Sequence, residues 1–161
     1  MKKIITISWL LIVLSSSLVF AQNERKGTVI GTFGIGGGFG TIVETTGHFS
    51  GILDLNFISK TGFTLCLANI ITVRPGALGP SQNIMVGAGY TFIRDRWNIG
   101  GAIIASPTSQ DILLAGKING SYYFTEDIGV TGIITYRQSG IVSDMAMSMF
   151  DVFAGISIKI F

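Results

Sequence analysis

The strongest constraint in this chain is a period-two alternation whose apolar side carries no charge. In Phe49-Ser50-Gly51-Ile52-Leu53-Asp54-Leu55-Asn56-Phe57 the odd positions read Phe, Gly, Leu, Leu, Phe, and the even ones Ser, Ile, Asp, Asn. Successive strand side chains point to opposite faces. One face is therefore greasy and the other holds the polar groups, as in a strand lying between two unlike environments.

The pattern recurs. It predicts eight strands, near 27–39, 49–58, 63–73, 83–92, 97–106, 111–124, 128–137 and 149–161. Between Asn83 and Phe92, the residues Ile84, Val86, Ala88, Tyr90 and Phe92 share a face. In the sixth strand Ile112, Leu114, Ile118, Tyr122 and Phe124 oppose Asp111, Lys117, Asn119 and Ser121. In the seventh, Ile128, Val130, Ile134 and Tyr136 oppose Thr131, Thr135 and Arg137. Three connections are tight and polar: Ser59-Lys60-Thr61-Gly62, Arg94-Asp95-Arg96 and Thr125-Glu126-Asp127. Those around 40–48, 74–82 and 138–148 are longer, and 107–110 is intermediate. Tight turns at one end with longer loops at the other is the layout of an outer-membrane barrel.

Composition decides which face meets what. The chain is 48% hydrophobic and only 12% charged, against about 25% charged in soluble domains. A soluble barrel that binds a small ligand also alternates, but its outer face must be charged to meet water. Here Asp54, Asp111, Lys117, Arg137, Asp151 and Lys159 all fall on one face, read as a lumen charge network. The other face is free of Asp, Glu, Lys and Arg. Phe49, Leu53, Leu55, Ile84, Val86, Tyr90, Ile112, Leu114, Ile118, Val130, Ile134, Ile156 and Ile158 are its expected lipid-facing members. A cation at mid-membrane costs about 2–4 kcal/mol on such a wall. Val86→Arg is therefore expected to impair insertion more than Met85→Arg, unless the lumen is tightly packed. Strands in hydrocarbon must also close into a ring, because open edges leave unpaired backbone groups. Phe57, Phe63, Phe92, Trp97 and Phe124 cluster beside the tight turns and read as a periplasmic aromatic girdle.

The first residues read as an address. Met1-Lys2-Lys3, the uncharged stretch Ile4 to Phe20 and Val19-Phe20-Ala21 have the layout of a secretory signal peptide over 1–21. Its apolar core is short for a retained membrane helix. Residues 22–161 would then form one transmembrane β-barrel domain. Without Lys2 and Lys3 the formal charge falls from +2 to zero, which argues against nucleic acid as a partner.

With these features the chain resembles the small eight-stranded outer-membrane barrels of Gram-negative bacteria, the group of the outer membrane protein A barrel domain and its X and W relatives. The resemblance covers nearly all of 27–161 and rests on signal peptide, strand count, turn layout and a C-terminal aromatic. It implies an all-β, antiparallel, up-and-down transmembrane barrel in the outer membrane of a diderm bacterium. It also implies contact with outer-membrane lipid and assembly through recognition of the C-terminal strand by the barrel-assembly machinery. Phe150, Val152, Ala154, Ile156, Ile158 and Ile160 share the lipid face, whereas Phe161 falls one step out of phase.

Candidate chemistry is sparse. His48 is the one His, and His48-Phe49-Ser50 puts an imidazole and a hydroxyl on one face with Glu44 upstream. The pair is similar to the His-x-Ser of lipid A deacylases, although that family follows it with Asn where this chain has Gly51. A solvated His at a loop edge is the competing reading. The glycine-rich run 31–40 lacks G-x-G-x-x-G and a following helix, so it reads as room for lumen neighbours or strong curvature, not a phosphate cradle. Cys66 reads as a small buried filler. No metal or cofactor site is expected. The lumen face also holds Ile30, Ile52, Ile70, Met85, Ile104, Leu113, Ile133 and Phe153, more apolar than an aqueous pore requires. The chain therefore reads as a non-enzymatic barrel serving envelope integrity, surface interaction or low-rate passage of small, including hydrophobic, solutes. A lipid hydrolase using His48 and Ser50, or a soluble ligand-binding barrel, are the alternatives. A ligand at the outer loops, above all Gln138 to Ser148 with Met145, Met147 and Met149 near it, would have no chemistry legible in the sequence.

Overall fold

The computed structural model describes residues 27–41, 45–76, 79–107, 112–139 and 147–160. The expected signal peptide, Glu44, Asp111, Met145 and Phe161 lie outside them. Eight strands follow one another: β1 (Thr28–Thr41), β2 (Thr45–Ile58), β3 (Phe63–Val73), β4 (Ser81–Arg94), β5 (Trp97–Pro107), β6 (Ile112–Tyr123), β7 (Ile128–Ser139) and β8 (Met147–Lys159). Each pairs antiparallel with the next, and β8 returns to β1, so the sheet is a closed barrel without edges.

Every strand keeps the period expected of it. On β7, from Ile128 to Arg137, exposed and buried residues alternate without a break. Several strands run further than the sequence pattern suggested, chiefly at the end away from the tight turns. β1 reaches Thr41 and β2 begins at Thr45, so the strands take up most of the expected 40–48 loop, whose residues 42–44 lie outside the described ones. Glycine and threonine carry no periodic signal there, yet Gly38↔His48 and Gly40↔Thr46 extend the ladder. β4 likewise runs on to Arg94, which pairs with Trp97 across the turn Asp95-Arg96. Arg94 is the one charged residue among the described strand positions that takes the outward phase, and it sits at the turn end, where its head reaches polar surroundings.

The register fixes the barrel's dimensions. Stepping from partner to partner, Ile30, Asn56, Cys66, Gly87, Ile104, Ala115, Arg137 and Met149 lead back to β1 at Gly40, ten residues beyond the start. Eight strands with that stagger tilt by about 40°. From Phe150 on β8 to Ile160 just past its end, the chain then spans about 25 Å of height, the thickness of an outer-membrane apolar band.

The glycine run turns a corner. A Cβ at Gly36 or Gly38 would collide with the Val152 or Phe150 carbonyl oxygen of β8. At Gly87 and Gly89 it would collide with the Ile103 and Gly101 oxygens of β5. The β1–β8 and β4–β5 seams lie opposite each other in the ring, so two facing corners depend on bare backbone.

Candidate functional site

The lumen is filled by side chains in stacked layers. The inward positions of β2 read, from the outer mouth downward, His48, Ser50, Ile52, Asp54 and Asn56, all buried. Two polar clusters are thus separated by an apolar layer. In the upper one, Arg137 donates to Asp151 Oδ2 through Nε at 3.0 Å and Nη2 at 2.8 Å. Ser50 donates to Asp151 Oδ1 at 3.0 Å, and His48 Nε2 lies 2.6 Å from the same oxygen. Thr135 and Thr72 complete the ring of donors and acceptors. In the lower cluster, Lys117 Nζ lies 2.8 Å from both Asp54 oxygens and 2.9 Å from Asn56 Oδ1. Asn56 in turn donates to Asp54 at 2.6 Å, and Cys66 donates to Asn56 Oδ1 at 3.1 Å.

Between them lie Ile52, Ile70, Met85, Ile104, Ile133 and Phe153. The charged residues expected in one network therefore divide into two compensated pairs. Lys159 joins neither pair. Its ammonium sits 4.1 Å from the centre of the Tyr123 ring, near the tight-turn end. This separation follows from β2, where Ile52 stands between Ser50 and Asp54.

His48 departs from the solvated reading: it is 5% exposed, because β2 begins earlier than the sequence pattern suggests and carries it inside the wall. The carboxylate that joins it is Asp151, from the other end of the chain. It stands between His48 and Ser50, bonded to each, whereas a hydroxyl relay needs the imidazole in the middle. Cys66 is buried and free, matching its filler reading. Among the described residues no group of three His, Cys, Asp or Glu could hold a metal ion.

The outer wall is apolar over most of its height. Phe49 is 75% exposed, and all thirteen residues expected to face lipid point outward, with Leu55 and Val86 half-covered by wall neighbours. Phe63, Phe92, Trp97 and Phe124 are exposed and Phe57 half-exposed, all beside the tight turns; Trp97 packs on Tyr122 with ring centres 4.7 Å apart. The sequence reading missed a second belt. Phe150 on β8 is the register partner of Tyr136 on β7 and of Phe39 on β1 at the opposite end, and the ring closure is what brings Phe39 to the other two. It also missed Asn69 on the outward phase of β3, whose Oδ1 accepts from Gln82 at 3.1 Å.

No family model matches this sequence, and neither does any curated protein. Solved structures do. Neisserial surface protein A (NspA) superposes with a TM-score of 0.62 over 83% of this chain and 99% of its own, at 11% identity. A chain from the de novo design of transmembrane β-barrels gives a TM-score of 0.58 over 85% and 99%, at 14% identity. The fold is a transmembrane β-barrel. Its greasy wall, two aromatic belts and compensated interior are what a strand-built membrane span requires.

Proposed function

We propose that this chain is a non-enzymatic integral protein of the bacterial outer membrane, exported by its N-terminal signal and assembled through its last strand. It serves envelope integrity or surface interaction through its wall and outer loops, not by conducting solutes. The observation that carries this reading is the lumen. Ile52, Ile70, Met85, Ile104 and Phe153 close the passage between two ion-paired layers, and each is at most 1% exposed. A path for ions would have to part both Arg137–Asp151 and Lys117–Asp54 and then cross a dry layer, leaving buried charges without partners. Low-rate passage of a small hydrophobic solute would need the same layer to open.

Planar-bilayer recording of the refolded protein tests the reading. The expected trace is a flat baseline; steady, reproducible open levels would overturn it. Fractionation of the producing bacterium should recover the mature chain with outer-membrane markers, and recovery as a soluble periplasmic monomer would sink the membrane assignment.

A further inference from the structure

The outer mouth of the lumen gathers two thioethers and an imidazole. Met147 and Met149 hold successive inward positions at the start of β8. Their Sδ atoms lie 3.0 and 2.9 Å from one nitrogen, Nη2 of Arg74. Two thioethers thus turn toward one point, and the group seated there is a cation. Beside them His48 Nδ1 is buried and has no hydrogen-bond partner, while Nε2 of the same ring is held by Asp151. Gly40 links the two halves. A Cβ on it would lie 3.0 Å from Met149 Cγ and 3.8 Å from His48 Nδ1. The Met149 side chain and the imidazole therefore both border the narrow space over Gly40, which a Cβ would crowd.

The donor set selects its guest. A neutral imidazole that donates from Nε2 to a carboxylate keeps a lone pair on Nδ1. A carboxylate behind a metal-binding His orients the ring and raises its basicity. Thioethers favour soft ions such as Cu(I), whereas calcium and magnesium need oxygens. The nearby carboxylate, Asp151, is already bound by Arg137, Ser50 and His48. With Arg74 and Arg137 close by, a single positive charge is easier to admit than a double one.

We propose that His48 Nδ1, Met147 Sδ and Met149 Sδ form a site for a soft monovalent cation, Cu(I) or Ag(I), which enters by displacing the Arg74 guanidinium. Arg74 follows the last residue of β3 and is half-exposed, so it has water to move into. The methionine side chains, flexible about three bonds, close on the ion from where they stand.

The test uses the refolded mature chain in detergent micelles, carrying Cys66→Ser because a thiol would also take these ions. Silver nitrate is titrated in chloride-free buffer while the methionine methyl and histidine ring resonances are followed, and Cu(I) affinity is read by competition with bicinchoninate. One equivalent of Ag(I) should shift Met147, Met149 and His48 and leave Met85, buried in the apolar layer, in place. Met147→Leu and Met149→Leu keep side-chain volume; each should lower affinity at least about tenfold, and the double variant should abolish binding. Arg74→Gln should tighten binding by removing the competing charge. Heat-dependent gel mobility verifies that each variant is a folded barrel. Failure of folded protein to bind, or binding that survives the double methionine variant, overturns the proposal. So does soft-ion binding that is present in the unmodified chain and lost with Cys66→Ser alone.

Discussion

Lys117→Met isolates the value of the lower ion pair. The ammonium lies 2.8 Å from both oxygens of Asp54, with both side chains at most 1% exposed. At an effective dielectric near 20, such a pair attracts by about 6 kcal/mol, roughly what its two partners lose by leaving water. The intact pair therefore contributes little net stability. Removing only the lysine leaves the Asp54 carboxylate buried with Asn56 as its remaining donor at 2.6 Å. That truncation should cost about 3–5 kcal/mol, or two to four powers of ten in the folded-to-unfolded ratio. Asp54→Asn combined with Lys117→Met removes both charges and should recover most of the loss. The assay is reversible urea unfolding in detergent or lipid vesicles, followed by tryptophan fluorescence and gel mobility. A loss below about 1 kcal/mol in the single variant would mean that water reaches Asp54, and the packed-lumen reasoning would fail. A double variant as damaged as the single would refute it equally.

Gly38→Ala should prevent or severely weaken folding, because its Cβ would meet the Phe150 carbonyl, whereas Gly116→Ala, with nothing within 4 Å, should stay within about 0.5 kcal/mol of the parent. Val86→Arg should cost about 2–4 kcal/mol of insertion free energy on the outer wall. Met85 is 0% exposed in the apolar layer, so Met85→Arg should be at least as damaging, and refolding yields into vesicles test both. The wall itself is read by nitroxides: a label at Ile103, 65% exposed, should be relaxed by oxygen and not by a water-soluble nickel chelate, and the reverse result would place water against it. Cys66 should resist maleimides in the folded barrel and react on unfolding; rapid labelling of the native protein would contradict its burial.

Asp54, Lys117, Arg137 and Asp151 could be assigned to the lumen from parity alone, because strand side chains alternate strictly and a one-residue error would turn each of them into lipid. Which charge meets which could not. Lys117 pairs with Asp54 across 63 positions of sequence and His48 with Asp151 across 103; nothing local encodes either meeting. His48 shows the limit most clearly. Thr45 to Gly47 give no periodic signal, so the residue read as a loop edge, and only pairing with the glycines of β1 draws it into the wall. The Met147–Met149–Arg74 group was hidden for a related reason: Met147 read as a loop residue and Met149 as an ordinary start of a strand, and only ring closure, with Gly40 of β1 between β8 and β2, brings Met149 and the imidazole near each other.

The amino-acid order by itself determined the number of strands, the face each side chain takes and the environment that face must meet, since those follow from a local period and the cost of charge in hydrocarbon. Closure of the ring decided the rest. The ten-residue stagger sets the height at which each inward side chain meets those of distant strands. It thereby turned a scatter of charges into two compensated pairs with a dry layer between them.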